Sequence, residues 1–98
     1  MPITETAVDP ELIAAVTAVF ADHFDVLVHN DDVTTFETVI TALVTIFDHT
    51  TDRAVELAWV VHRRGEAVVA TLPRDEAESG VAALHSFRIQ ATMRPAGT

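Results

Sequence analysis

Between Phe36 and Phe47 the large apolar residues fall on one helix face: Phe36, Val39, Ile40, Leu43, Val44 and Phe47 follow an i, i+3, i+4, i+7, i+8, i+11 series. A stripe of that width is unstable in water and must be covered by a second apolar surface. The flanking segments supply the cover. Ahead of it, "FDVLVH" (24–29) is short, β-branched and apolar, the composition of a largely buried strand. Between strand and helix lies "HNDDVT", where Thr34 and Glu37 have the spacing of a capping box.

Beyond Phe47 the sequence "FDHTTD" breaks the helix, and Thr50 or Thr51 can cap another that runs to Arg64. Gly65 follows Arg63 and Arg64, the arrangement of a left-handed C-terminal residue after a turn whose charges suit the helix dipole. "EAVVATL" (66–72) reads as a second strand, and Pro73 opens a third helix over "PRDEAESGVAALHSF", with its acidic residues in the first turns. Gly80 inside that helix lowers its intrinsic stability by about 1 kcal/mol relative to alanine. "RIQATMR" alternates, Ile89, Ala91 and Met93 against Arg88, Gln90 and Thr92, as a half-buried strand does. Residues 1–22 read as an arm carrying a short apolar helix, capped by Asp9 and started by Pro10, with Leu12, Ala15, Val16, Val19 and Phe20 on one face. Alone, that helix reads as core packing or a surface clamp. The predicted order for 23–98 is β-α-α-β-α-β. We expect an α/β (α+β) two-layer sandwich, a three-stranded antiparallel sheet packed on three helices.

At 98 residues and 49% apolar, the chain has the material for one core. There is no cysteine, which removes disulfides and thiolate metal ligands. The formal charge of −9, with no lysine, opposes nucleic acid and anionic membranes. No apolar run approaches the length of a membrane span, so the expectation is a cytoplasmic protein.

Catalytic chemistry is poorly supplied. Ser79 and Ser86 lie on the third helix outside any G-x-S-x-G turn, and no glycine-rich phosphate loop is present. His29, Asp31, Asp32 and His62 are types that first-row metals accept, but their spacing matches no H-x-x-x-H or EF-hand pattern, so no metal is expected. Two readings of "HNDD" stay open. It is a helix-capping turn, since Asn and Asp are ordinary there. Alternatively it is a receptor at a strand end. Asn30, Asp31, Asp32 and His62 would then face a protonated amine, and Phe36, Val39, Ala58 and Val61 would line an apolar hole beside it. Trp59 reads as a core or interface residue rather than a ligand platform.

The segments "VLVHNDDVTTFETVI", "VVHRRGEAVVATLPRDEAE" and "ATMRPA" resemble, in order, three signatures of the ClpS family of Clp protease adaptors, over about Phe24 to Ala96. The resemblance implies a non-enzymatic adaptor without cofactor. Such an adaptor holds the free α-amino group and hydrophobic first side chain of N-degron peptides starting with Leu, Phe, Tyr or Trp. It delivers them to the N-terminal domain of a ClpA- or ClpC-type AAA+ unfoldase. By the same resemblance Asn30, Asp31 and His62 hold the amine, Asp32 and Thr34 shape the pocket, and Val39, Val61 and Ile89 wall it. Phe36 and Ala58 stand where the family carries pocket methionines, which implies a reshaped hole. The resemblance further implies that Asp75 and Glu78 keep part of the docking surface for the unfoldase, where Gly80 stands in place of a family lysine. The alternative is a module of this fold that docks on or regulates a Clp unfoldase without recognising N-degrons.

Overall fold

The computed structural model describes residues 9–19 and 21–97. Among the described residues, four helices and three strands follow one another as α1 (Pro10–Val19), β1 (His23–His29), α2 (Phe36–Phe47), α3 (Thr51–Arg64), β2 (Glu66–Pro73), α4 (Arg74–Ser86) and β3 (Ala91–Pro95). The strands form one antiparallel sheet in the order β2-β1-β3, so the most apolar strand is central. The register against β2 slips once, between Val26 and Leu27. Helices α2, α3 and α4 cover one face, giving the two layers that the sequence pattern predicts.

The core lies where the helical stripes meet the sheet. Val26 and Val28 of β1 and Leu43 and Leu84 of the helices are all fully buried, with Ala42, Ala54 and Ala77 letting the backbones approach. Helix ends are mostly placed by polar side chains. Thr50 caps α3, its hydroxyl accepting from the Arg53 N–H at 3.1 Å. Gly65 closes the same helix with φ +89°, a conformation open to glycine at no steric cost, and its N–H donates to the Val61 carbonyl.

Several boundaries differ from the sequence reading. The expected box on Thr34 and Glu37 does not form, because Thr34 is drawn back to Asp31; the cap is Thr35, whose hydroxyl accepts from the Thr38 N–H at 3.2 Å. Pro73 is the cap of α4 rather than its first residue. Strand β3 begins at Ala91, not Arg88: Arg88 takes φ +65°, and the Ile89 N–H donates back to the Leu84 carbonyl at 3.1 Å, a helix-closing turn. Helix α1 begins as expected, with the Glu11 N–H on Asp9 Oδ1 at 2.8 Å. Of its predicted apolar face, Leu12 and Val16 are about half exposed or more and Ala15 is exposed, so these three are not in the core. Phe20 lies outside the described residues.

Gly80 is buried, and a Cβ there would stand 2.8 Å from Cε1 of Phe47. The glycine that weakens α4 therefore lets α2 lay an aromatic ring across it. Adding a methyl group gains about 1 kcal/mol of helix propensity but forces the ring aside, and overpacking costs about 1–3 kcal/mol. Gly80→Ala is expected to destabilise the protein slightly. In a Phe47→Ala background the same change should stabilise it by about 1 kcal/mol. Urea denaturation of the four variants reads this; equal effects in both backgrounds would reject the clash.

Candidate functional site

The turn after β1 is built by one carboxylate. Asp31 Oδ1 accepts from the N–H groups of Val33 (2.8 Å) and Thr34 (2.6 Å), and Oδ2 accepts from the Thr34 hydroxyl (3.1 Å). Stabilised chiefly by the Thr34 N–H and then by that of Val33, the carboxyl titrates below its ordinary value of 3.8 despite some desolvation. A carboxylate offers about four lone-pair positions. Three are occupied, so the side chain that holds the turn retains one acceptor position on Oδ2.

The turn is fixed to a distant helix by backbone. The Asn30 N–H donates to the carbonyl of Gly65 at 2.8 Å. Gly65 closes α3, and His62 lies three residues earlier on the last turn of that helix. This bond extends the β1–β2 ladder, whose last pair is His29 and Glu66, by one step, and so brings the end of α3 with His62 beside the polar turn. Behind the turn, α2 starts with Phe36, and α3 packs alongside it. Asn30, Asp31, Asp32, Thr34 and His62 form the polar side of a pocket of about 330 Å³. Phe36, Val39, Ala58 and Val61 form its apolar side, and Thr35 completes the lining. Val39, Ala58 and Val61 are themselves buried, so the apolar side is continuous with the core.

Some predicted residues lie elsewhere. Ile89 is buried at 2% exposure and borders a separate depression with His29, His85 and Arg88; it does not line this pocket. His29 is tied across the sheet, its Nε2 2.7 Å from the Thr92 hydroxyl and its Nδ1 3.7 Å from Glu66. Asp75 lines a larger groove, about 830 Å³, together with Phe47, Leu72, Gly80 and Ala83; Glu78 is exposed and outside that lining. No three His, Asp or Glu side chains converge as metal ligands among the described residues.

Trp59, expected in the core or at an interface, is 48% exposed, so it is not a core residue. Its ring lies 4.8 Å from that of Phe36 and 6.0 Å from that of His62, both edge-on, and Phe36 lies 6.2 Å from His62. The signal was present in the spacing, since Trp59 and His62 are three apart on one helix and so share a side of it.

A pocket with a free carboxylate acceptor, an amide, an imidazole and an apolar floor is suited to an organic cation that carries a hydrophobic group. Comparison with known proteins places the chain. The sequence model of the family described as "ATP-dependent Clp protease adaptor protein ClpS" matches residues 21–95. The chain belongs to the ClpS family. It is 38% identical over 63 residues to the Clp protease adapter ClpS of Nitratidesulfovibrio vulgaris, covering 64% of this chain and 63% of that one. With ClpS of Streptomyces avermitilis it shares 37% over 68 residues, 69% of this chain and 65% of the other. The chain thus spans just under two thirds of the length of these two relatives. A solved structure of Agrobacterium tumefaciens ClpS2 bound to L-phenylalaninamide superposes with a TM-score of 0.70 at 30% identity, covering 76% of this chain and 96% of that one. The ClpS match begins after α1, which therefore lies outside the shared core.

Proposed function

We propose that this chain is a non-enzymatic adaptor that binds the free α-amino group and hydrophobic first side chain of N-degron peptides and passes them to a Clp AAA+ unfoldase. The observation that carries the reading is the meeting of Asn30, Asp31 and His62 at the mouth of one apolar-floored pocket. In this reading the ammonium donates to the open position on Asp31 Oδ2 and to Asn30 and His62, while Asp32 adds negative charge at the mouth. The first side chain enters between Phe36, Val39, Ala58 and Val61. That the relative ClpS2 takes L-phenylalaninamide, a free amine joined to an aromatic side chain, supports the same chemistry here.

The test is a titration with fluorescent peptides starting in Leu, Phe, Tyr or Trp, each beside its N-acetylated copy. Acetylation removes the charge, and hydrogen bonds to charged groups contribute about 1.5–3 kcal/mol, so acetylated peptides should bind about tenfold more weakly or worse. Equal binding of both forms would end the amine reading. His62→Ala is expected to weaken the free-amine peptides several-fold and leave the acetylated ones unchanged.

A second reading rests on the Asp75 groove, where Gly80 and Phe47 contribute to a lining shared with Leu72 and Ala83. In it the chain docks on a Clp unfoldase of ClpA or ClpC type without carrying a degron. Co-purification with the unfoldase, combined with no amine-dependent peptide binding, would favour it.

A further inference from the structure

We propose that Trp59 forms a subsite for the side chain of the second residue of a bound peptide and makes that position selective for apolar side chains. This rests on the amine-binding reading of the neighbouring pocket.

The placement of the indole carries the argument. Trp59 is 48% exposed, although it sits one residue from Ala58, which is 3% exposed and lines the pocket. Its position is fixed from two sides, by the Phe36 ring at 4.8 Å and the His62 ring at 6.0 Å. Trp59 does not line the pocket but packs on two residues that do, Phe36 and His62, so its half-open ring offers apolar area beside the cavity that the pocket itself does not use. With the amine at Asn30, Asp31 and His62 and the first side chain between Phe36 and Val61, the first Cα lies beside His62. The next Cα follows about 3.8 Å on, and a leucine or phenylalanine side chain reaches further than that again. The indole, 6.0 Å from the His62 ring, is within this span. A glycine at the second position leaves it exposed to water.

Covering the exposed part of the indole with a leucine side chain removes enough apolar area to raise affinity about fivefold. A peptide beginning Phe-Leu should therefore bind about fivefold more tightly than one beginning Phe-Gly of otherwise identical sequence. In Trp59→Ala the two affinities should converge, with that of the Phe-Gly peptide changed less than about twofold, whereas Trp59→Phe should keep the preference. Trp59 is the only tryptophan of the chain, so its emission reports the same event directly. In the unmodified protein the Phe-Leu peptide should shift that emission to the blue, and the Phe-Gly peptide should shift it less. A preference that survives in Trp59→Ala, or an equal loss for both peptides, overturns the subsite while leaving the amine reading intact. Equal binding of N-acetylated copies overturns both. Should Trp59→Ala fail to fold, equal emission shifts from the two peptides overturn the subsite by themselves.

Discussion

Replacing Asp31 by alanine is expected to weaken binding of a Phe-starting peptide by about 100-fold or more, and replacing it by asparagine by about 10- to 100-fold, with different effects on folding. The carboxylate does two jobs that the pair of substitutions separates. Toward its own backbone it accepts from Val33 and Thr34, closing the turn. Toward solvent it keeps one acceptor position and a full negative charge. Asparagine keeps an oxygen for the two backbone donors, and the Thr34 hydroxyl can rotate to accept from the new amide; the turn survives and the charge is lost. Alanine loses both. Thermal melts should therefore place Asp31→Asn close to the unmodified protein and Asp31→Ala below it. If Asp31→Asn binds the peptide as tightly as the unmodified protein, the charge contributes nothing beyond the turn. The pH dependence follows from the lowered pKa. A group that titrates lower when folded gives stability that is complete above its ordinary value of 3.8 and is lost as the pH falls through the lower folded value. Between pH 5 and 7 the turn should thus hold, and acid unfolding of Asp31→Ala should lack this component.

The legible parts of the sequence and the hidden ones differ by range. The α2 stripe, the β-branched β1 and the glycine that stops α3 are local patterns, and each appears where its period or its backbone freedom places it. The cap of α2 was expected one residue early, at Thr34, because two adjacent threonines compete for one role. Asp31 settles it by taking Thr34, which leaves Thr35 for the helix. The polar residues of the pocket were visible as a cluster after β1, with His62 as a partner in one of two open readings, and the family resemblance favoured that one. What joins them is the pairing of β1 with β2, which ends in a backbone bond from Asn30 to Gly65, between residues whose side chains say nothing about it. Ile89 illustrates the opposite case: its alternation with Ala91 correctly points inward, but a residue can face the core without reaching this pocket. Gly80 reads as a weak point in a helix until the ring of Phe47 is seen lying over it. The α1 stripe has helical spacing, yet spacing does not say what lies opposite: of core packing and a surface clamp, the exposure of Leu12 and Val16 goes against the first.

The bond between Asn30 and Gly65 makes one further result predictable. Gly65→Val should lower stability by about 2 kcal/mol, because a left-handed conformation costs an ordinary residue about 1–2 kcal/mol and a β-branched one more. In a domain of this size that is a fall in Tm of about 10 °C. No atom stands within 4 Å of a Cβ at this position, so the cost lies in the backbone and not in a clash. Gly65→Asn is the control, since asparagine visits this conformation readily and should lose less than about 1 kcal/mol. The effect on binding is the more informative half. Relieving the strain turns the Gly65 carbonyl away from the Asn30 N–H, and His62, one turn back, no longer meets the polar turn at the same distance. Peptide affinity, measured well below the melting transition, should then fall about tenfold or more in the valine variant and stay near normal in the asparagine one. A valine variant that melts early yet binds normally would show that the turn keeps its place without this bond, and the route from fold to site would have to run through the packing of Phe36 against α3 instead.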